Sequence, residues 1–166
     1  SDQRHSVPPD HDGKVEKMNP KWHDRFLDLA SHVATWSKDP STKVGCVLVN
    51  RKLQVVGMGY NGFPRGVKDG EDRYADRPTK YAMVVHAEAN AILNAVGSTD
   101  GCFAYVTHKP CATCSGLLIQ AGVRSIITYP TPEGLAERFK DSYLASDAML
   151  HEAEVGIMVW EKDNGK

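Results

Sequence analysis

His86-Ala87-Glu88 and Pro110-Cys111-Ala112-Thr113-Cys114 are the two stretches on which the reading of this chain turns. The interval between them is long enough for one helix and one strand, and each motif opens an apolar periodic segment. One imidazole and two thiols make three N/S donors, the set that holds a tetrahedral Zn²⁺ with its fourth position open to water. Cys111 and Cys114 stand at i and i+3, on one helix face, and Pro110 suits the start of that helix. Helix N-terminal N–H groups favour the thiolate form. Water on such an ion becomes acidic, with a pKa of roughly 7, and Glu88 is placed as its proton carrier, not as a ligand. Taken singly, C-x-x-C also suits a redox pair or half of a zinc knuckle. No second C-x-x-C is present to complete a four-thiolate site.

Outward from that pair, 166 residues are enough for one domain with a core of its own. A formal net charge of -1, with acids interspersed among the bases, speaks against a nucleic-acid backbone or a membrane surface as partner. Cys46 and Cys102 lie in apolar runs, where a buried free thiol is the usual outcome. That is the pattern of a reducing compartment and sets a cytoplasmic expectation. No signal-peptide core and no apolar run of bilayer-spanning length occurs.

Residues 1–17 are polar and aperiodic and read as a flexible N-terminal arm; 18–162 read as a single domain. Asn19-Pro20 suits a helix start, and Trp22, Phe26, Leu29, Ala30 and Val33 recur at helical spacing. Strands are expected over 44–49, 53–59, 102–107, 123–129 and 155–160, and helices over 84–96, 111–121 and 132–153. Gly57 to Gly62 fits G-x-G-x-x-G, but Pro64 and Gly66 follow where a dinucleotide site requires a helix, so that reading is rejected. Residues 65–80 read as a charged loop. Among Arg65, Lys68, Arg73, Arg77 and Lys80, a solvated surface and one or two cations facing a substrate phosphate are competing readings. The element order indicates an α/β fold, a three-layer α/β/α domain with one mixed five-stranded sheet.

The H-x-E and P-C-x-x-C pair, in that order, matches the signature of zinc nucleobase deaminases. With Lys43-Val44-Gly45 opening the first strand, Gly59-Tyr60-Asn61-Gly62 closing the second and Gln120-Ala121-Gly122-Val123 after the second metal helix, the chain resembles the deoxycytidylate (dCMP) deaminases over roughly 22–159. The resemblance implies a cytidine-deaminase-like fold and hydrolytic deamination of dCMP to dUMP, feeding thymidylate synthesis. It implies Zn²⁺ on His86, Cys111 and Cys114, one catalytic ion per subunit, with Glu88 moving the protons. Asn61 is expected near the sugar, Lys38 and Ser41 near the phosphate, and Ala87 and His108 along the same pocket. It also implies a homo-oligomer, a hexamer, with Gly59, Tyr60, Asn61 and Gly62 in an effector site activated by dCTP and inhibited by dTTP, and with Mg²⁺ accompanying the triphosphate.

The chain departs from the pattern in three places. It has no Cys or His between Gly62 and Val85 for the second zinc of some relatives, it carries Trp36 where an Arg is common, and its tail from Thr131 to Trp160 is long. The same frame also serves deaminases of 5-modified dCMP, free bases, riboflavin precursors and tRNA adenosine. A nucleotide-binding module with purely structural zinc is a further alternative, which the intact Glu88 opposes.

Overall fold

The computed structural model describes residues 18–161. The expected arm at 1–17 and the end of the expected domain at 162 lie outside the described residues. Five strands form one sheet in the order β2-β1-β3-β4-β5: β1 Gly45–Val49, β2 Val55–Tyr60, β3 Phe103–Val106, β4 Ser125–Thr128 and β5 Gly156–Val159. β1 runs antiparallel to both β2 and β3, whereas β3, β4 and β5 are mutually parallel, so the sheet is mixed.

Strand alternation divides the core between the two faces. Val47, Val49, Phe103, Tyr105 and Ile127 meet Phe26, Leu27, Ala30 and Val33 of α1 (Pro20–Ala34) on one face. Cys46, Leu48, Ala104, Val106 and Ile126 meet Ala87 and Ala91 of α4 (Ala87–Leu93), Leu118 of α5 (Ala112–Gln120) and Leu150 of α7 (Lys140–Glu152) on the other. This is the three-layer arrangement expected. α1 begins as its sequence dictates, with Asn19 Oδ1 accepting from Lys21 N–H at 3.1 Å and Pro20 in the first turn.

Three segments differ from expectation. The charged stretch after Arg65 contains α2 (Glu71–Ala75) and α3 (Arg77–Met83). Tyr74 anchors α2 by stacking on Phe63 at 4.5 Å, a contact across the loop that precedes the helix. The helix expected over 132–153 is two, α6 (Glu133–Arg138) and α7, broken at Phe139 with φ -109° and ψ 23°. The helix expected over 84–96 shortens to α4, and Leu93 and Val96 at its far end are 77% and 83% exposed. None of the described helices is long and apolar enough to cross a membrane.

Candidate active site

Both metal-binding motifs sit at helix starts facing one pocket. His86 precedes α4 in extended conformation, held there by a two-way backbone bridge between Val85 and Gly62 (2.8 and 3.1 Å). Cys111 precedes α5 in the same way, and Cys114 lies in its first turn. The amide of Ala112 donates to Ser142 Oγ at 2.9 Å, so α7 caps the cysteine helix, and the buried Ser115 and Ser146 hydroxyls join the two helices at 2.5 Å. α4 can lie close to the sheet because Gly59 of β2 has no Cβ; one there would overlap the Ala87 carbonyl and the Ala91 amide.

The structure brings His86, Cys111 and Cys114 together, their donor atoms all within 4.8 Å of one another. His86 Nδ1 is 3.3 Å from Cys114 Sγ and 3.7 Å from Cys111 Sγ. A tetrahedral ion at ordinary Zn–N and Zn–S lengths sets that separation at about 3.6 Å, so the donors fit Zn²⁺. The trio shares its protons. A hydrogen bond from the Cys114 thiol, with another from the His86 ring N–H, pulls Cys111 down to about 4 against its burial. The same contact with Cys111, reinforced by burial, raises Cys114. The hydrogen bond to Cys111 outweighs burial and raises His86. A cation here would displace the remaining thiol proton.

Glu88 is 4% exposed, and burial pushes its carboxyl up to about 7. An acid so poised exchanges protons readily near neutrality. Above it opens a cavity of about 320 Å³, within the size range of small-ligand pockets, roughly 300 to 1,000 Å³.

Of the other sequence-derived candidates, Ala87, Asn61, Ser41 and His108 line this cavity. Burial lowers His108, favouring its neutral imidazole. Asn61 is tied into the wall: Oδ1 accepts from Val44 N–H at 2.9 Å and Nδ2 donates to the Thr42 carbonyl at 2.8 Å and to Asp39 at 3.5 Å. One lone pair of Oδ1 is left for a ligand. Lys38 is not among the lining residues; its side chain is 74% exposed and pairs with Asp69 at 3.0 Å. Tyr60 is exposed at the end of edge strand β2, with the Trp36 ring edge-on at 6.1 Å. Gly59 lies buried beneath α4, and Gly62 holds the bridge to Val85.

Lys80 and Arg77, two of the cations weighed in the charged stretch, do reach the cavity wall. Lys80 grips both oxygens of the buried Asp39, at 2.8 and 3.0 Å. Sequence reasoning assigned no site role to Asp39, nor to Arg138 of α6. Leu135, Phe139 and Tyr143, at amphipathic spacing within the helix expected over 132–153, form one wall of the cavity. The amphipathic spacing signalled a buried face without revealing that a pocket lay beneath it.

The family model for the cytidine and deoxycytidylate deaminase zinc-binding region matches residues 20–129. The deaminase of the luxG 3′ region of Aliivibrio fischeri is 39% identical over 84% of this chain and 94% of its own length. Human deoxycytidylate deaminase is 40% identical over 78% of this chain and 73% of its own. Among solved structures, the dCMP deaminase of cyanophage S-TIM5 in complex with dCMP and dUMP superposes with a TM-score of 0.70 at 25% identity, covering 86% of this chain and 99% of the phage chain. With the zinc donors and the buried glutamate assembled as that family requires, the chain belongs to the cytidine and deoxycytidylate deaminases.

Proposed function

We propose that this protein hydrolyses dCMP to dUMP and ammonia, supplying dUMP for thymidylate synthesis. The observation that carries the reading is the Glu88 carboxyl, buried beside His86, Cys111 and Cys114 at the base of the cavity. Support for dCMP among cytosine compounds comes from the human relative's name and from the dCMP and dUMP bound to the phage enzyme.

His86, Cys111 and Cys114 hold the ion, which when bound supplies an acidified water and electrophilic pull. Glu88 takes the proton of the attacking water and returns one to N3 of the ring as C4 gains its oxygen. It then carries the remaining proton of that water from the new C4 hydroxyl to the exocyclic nitrogen, and as the C4 carbonyl forms the C4–N bond breaks and ammonia leaves. Because burial holds the carboxyl at about 7, both directions of transfer are accessible near neutral pH. Ala87 closes the base of the cavity, Asn61 offers its remaining lone pair to a sugar hydroxyl, and Ser41 and His108 complete the wall.

The reading extends to regulation within a single domain over 18–162 of a cytoplasmic homo-oligomer, a hexamer. dCTP with Mg²⁺ activates and dTTP inhibits, through Gly59 to Gly62. Supporting this are the exposed Tyr60 and Trp36 rings, flat faces suited to a base. Leu93 and Val96 supply apolar surface for a neighbouring copy.

The test is ammonia release from zinc-loaded protein supplied with dCMP, 5-methyl-dCMP, CMP, deoxycytidine or a tRNA anticodon stem, with and without dCTP or dTTP. Preference for dCMP supports the reading, and preference for RNA overturns it. Rates indifferent to both triphosphates would remove the regulatory role alone.

A further inference from the structure

We propose that Arg138, assisted by Arg77, is the residue through which this pocket selects a 5′-monophosphate over the corresponding nucleoside. The inference rests on the dCMP reading and assigns its phosphate to α6 and α3 rather than to Lys38.

Charge pairing around the cavity is uneven. Four cations line it: Arg77, Lys80, Lys109 and Arg138. Lys80 is held by both oxygens of Asp39, and Lys109 by Asp147 at 2.8 Å. Arg77 and Arg138 have no carboxylate partner among the described residues. Two exposed guanidinium groups that no carboxylate of the described residues engages leave donors at one cavity free to take an anion from outside.

Arg138 is also aimed. Its Nη2 donates to the Tyr81 hydroxyl of α3 at 2.7 Å, and its guanidinium lies over the Phe139 ring at 5.2 Å. The side chain therefore reaches from one wall of the cavity to the other. With one of its five N–H groups engaged by a neutral hydroxyl, the fork still offers a bidentate edge to phosphate oxygens.

The element that carries Arg138 has little other purpose. α6 contributes no buried residue to either core layer, yet Leu135 and Arg138 both line the cavity. It also lies beyond residue 129, where the match to the shared zinc-binding region ends. A substrate feature not common to all deaminases of that framework is reasonably read by a segment outside it. Lys38, in contrast, is neutralised by Asp69 away from the cavity.

Steady-state kinetics of zinc-loaded wild type, Arg138→Gln, Arg138→Lys and Arg77→Gln on dCMP and deoxycytidine test this. Arg138→Gln is expected to lower the ratio of kcat/KM for dCMP over deoxycytidine about 10- to 100-fold, mainly through KM for dCMP. Arg138→Lys should recover part of that loss and Arg77→Gln show a smaller one. If deoxycytidine turns over too slowly to quantify, calorimetric affinities for dUMP and deoxyuridine supply the same ratio. A parallel fall with both compounds, or an unchanged ratio in Arg138→Gln, overturns the inference while the dCMP reading stands. A wild type with no preference for the monophosphate overturns both.

Discussion

Glu88 illustrates how one residue's surroundings set its chemistry. Its carboxylate would lie near 4.5 in water; burial is the main cause of the rise to about 7, the Cys111 charge adds to it, and a backbone hydrogen bond and the nearby imidazole oppose it. Glu88→Gln keeps the shape and removes the proton exchange, so kcat should fall by about 10²- to 10⁴-fold with zinc stoichiometry unchanged. Turnover within threefold of wild type would remove Glu88 from the mechanism. The same burial has a stability signature in metal-free protein. A carboxyl whose folded pKa is raised keeps its proton on folding, so its stabilisation is complete below about 4.5 and is lost as pH rises through about 7. The difference amounts to about 3 kcal/mol at most. Urea midpoints of the metal-free wild type should therefore decline relative to Glu88→Gln between pH 5 and pH 8. Parallel profiles for the two proteins would show that the folded protein does not hold that proton.

At the scale of elements, the pair joining α3 to the loop after α1 deserves the closest test. Asp39 is 1% exposed; burial pushes its carboxyl up, but the bonds from Lys80 and from the Ser41 and Thr42 amides together outweigh this and hold it below its ordinary value. Its stabilisation is accordingly present above the unfolded carboxyl range and lost as pH falls through the depressed folded value. Lys80→Met leaves the charge buried and unpaired, and should cost about 3 to 5 kcal/mol in denaturant unfolding. Adding Asp39→Asn should recover much of it. A single variant as stable as wild type would mean the pair contributes no net stability. This pair also marks where the sequence stops being readable. The strands, α1 and the two metal helices were legible because period, caps and motif spacing are local properties: Asn19-Pro20 starts a helix wherever it is placed, and His86 with Cys111 and Cys114 carries its donor chemistry in the residue types. α2 and α3 were not, because they depend on Tyr74 finding Phe63 and Lys80 finding Asp39, 41 residues away. Arg138 was missed for a related reason. The proposal for it rests on its place at a cavity wall with no carboxylate partner among the described residues, which only the assembled elements reveal.

For the molecule as a whole, the zinc donors act as a second tie, beside the β1–β3 ladder, between the two halves of the sheet. His86 begins α4, which rests on β1 and β2; Cys111 and Cys114 begin α5, which rests on α7 and, through it, on the side of the sheet that ends in β5. An ion shared by the two helix starts therefore joins the antiparallel half of the sheet to the parallel half. The unfolded chain cannot present three donors within 4.8 Å, so binding free energy adds to folding free energy. With free zinc a thousandfold above its dissociation constant the gain is about 4 kcal/mol. For a domain of this size that corresponds to a Tm shift of roughly 8 to 16 °C. Removing zinc by chelation should lower Tm by that order, and adding zinc back should restore it. Cys111→Ala should start at a low Tm and show little response to either treatment. A wild-type Tm indifferent to chelation, in protein shown by metal analysis to have lost its zinc, would mean that packing of α4 and α5 against the sheet holds the donors in place unaided, and that the ion serves only the chemistry.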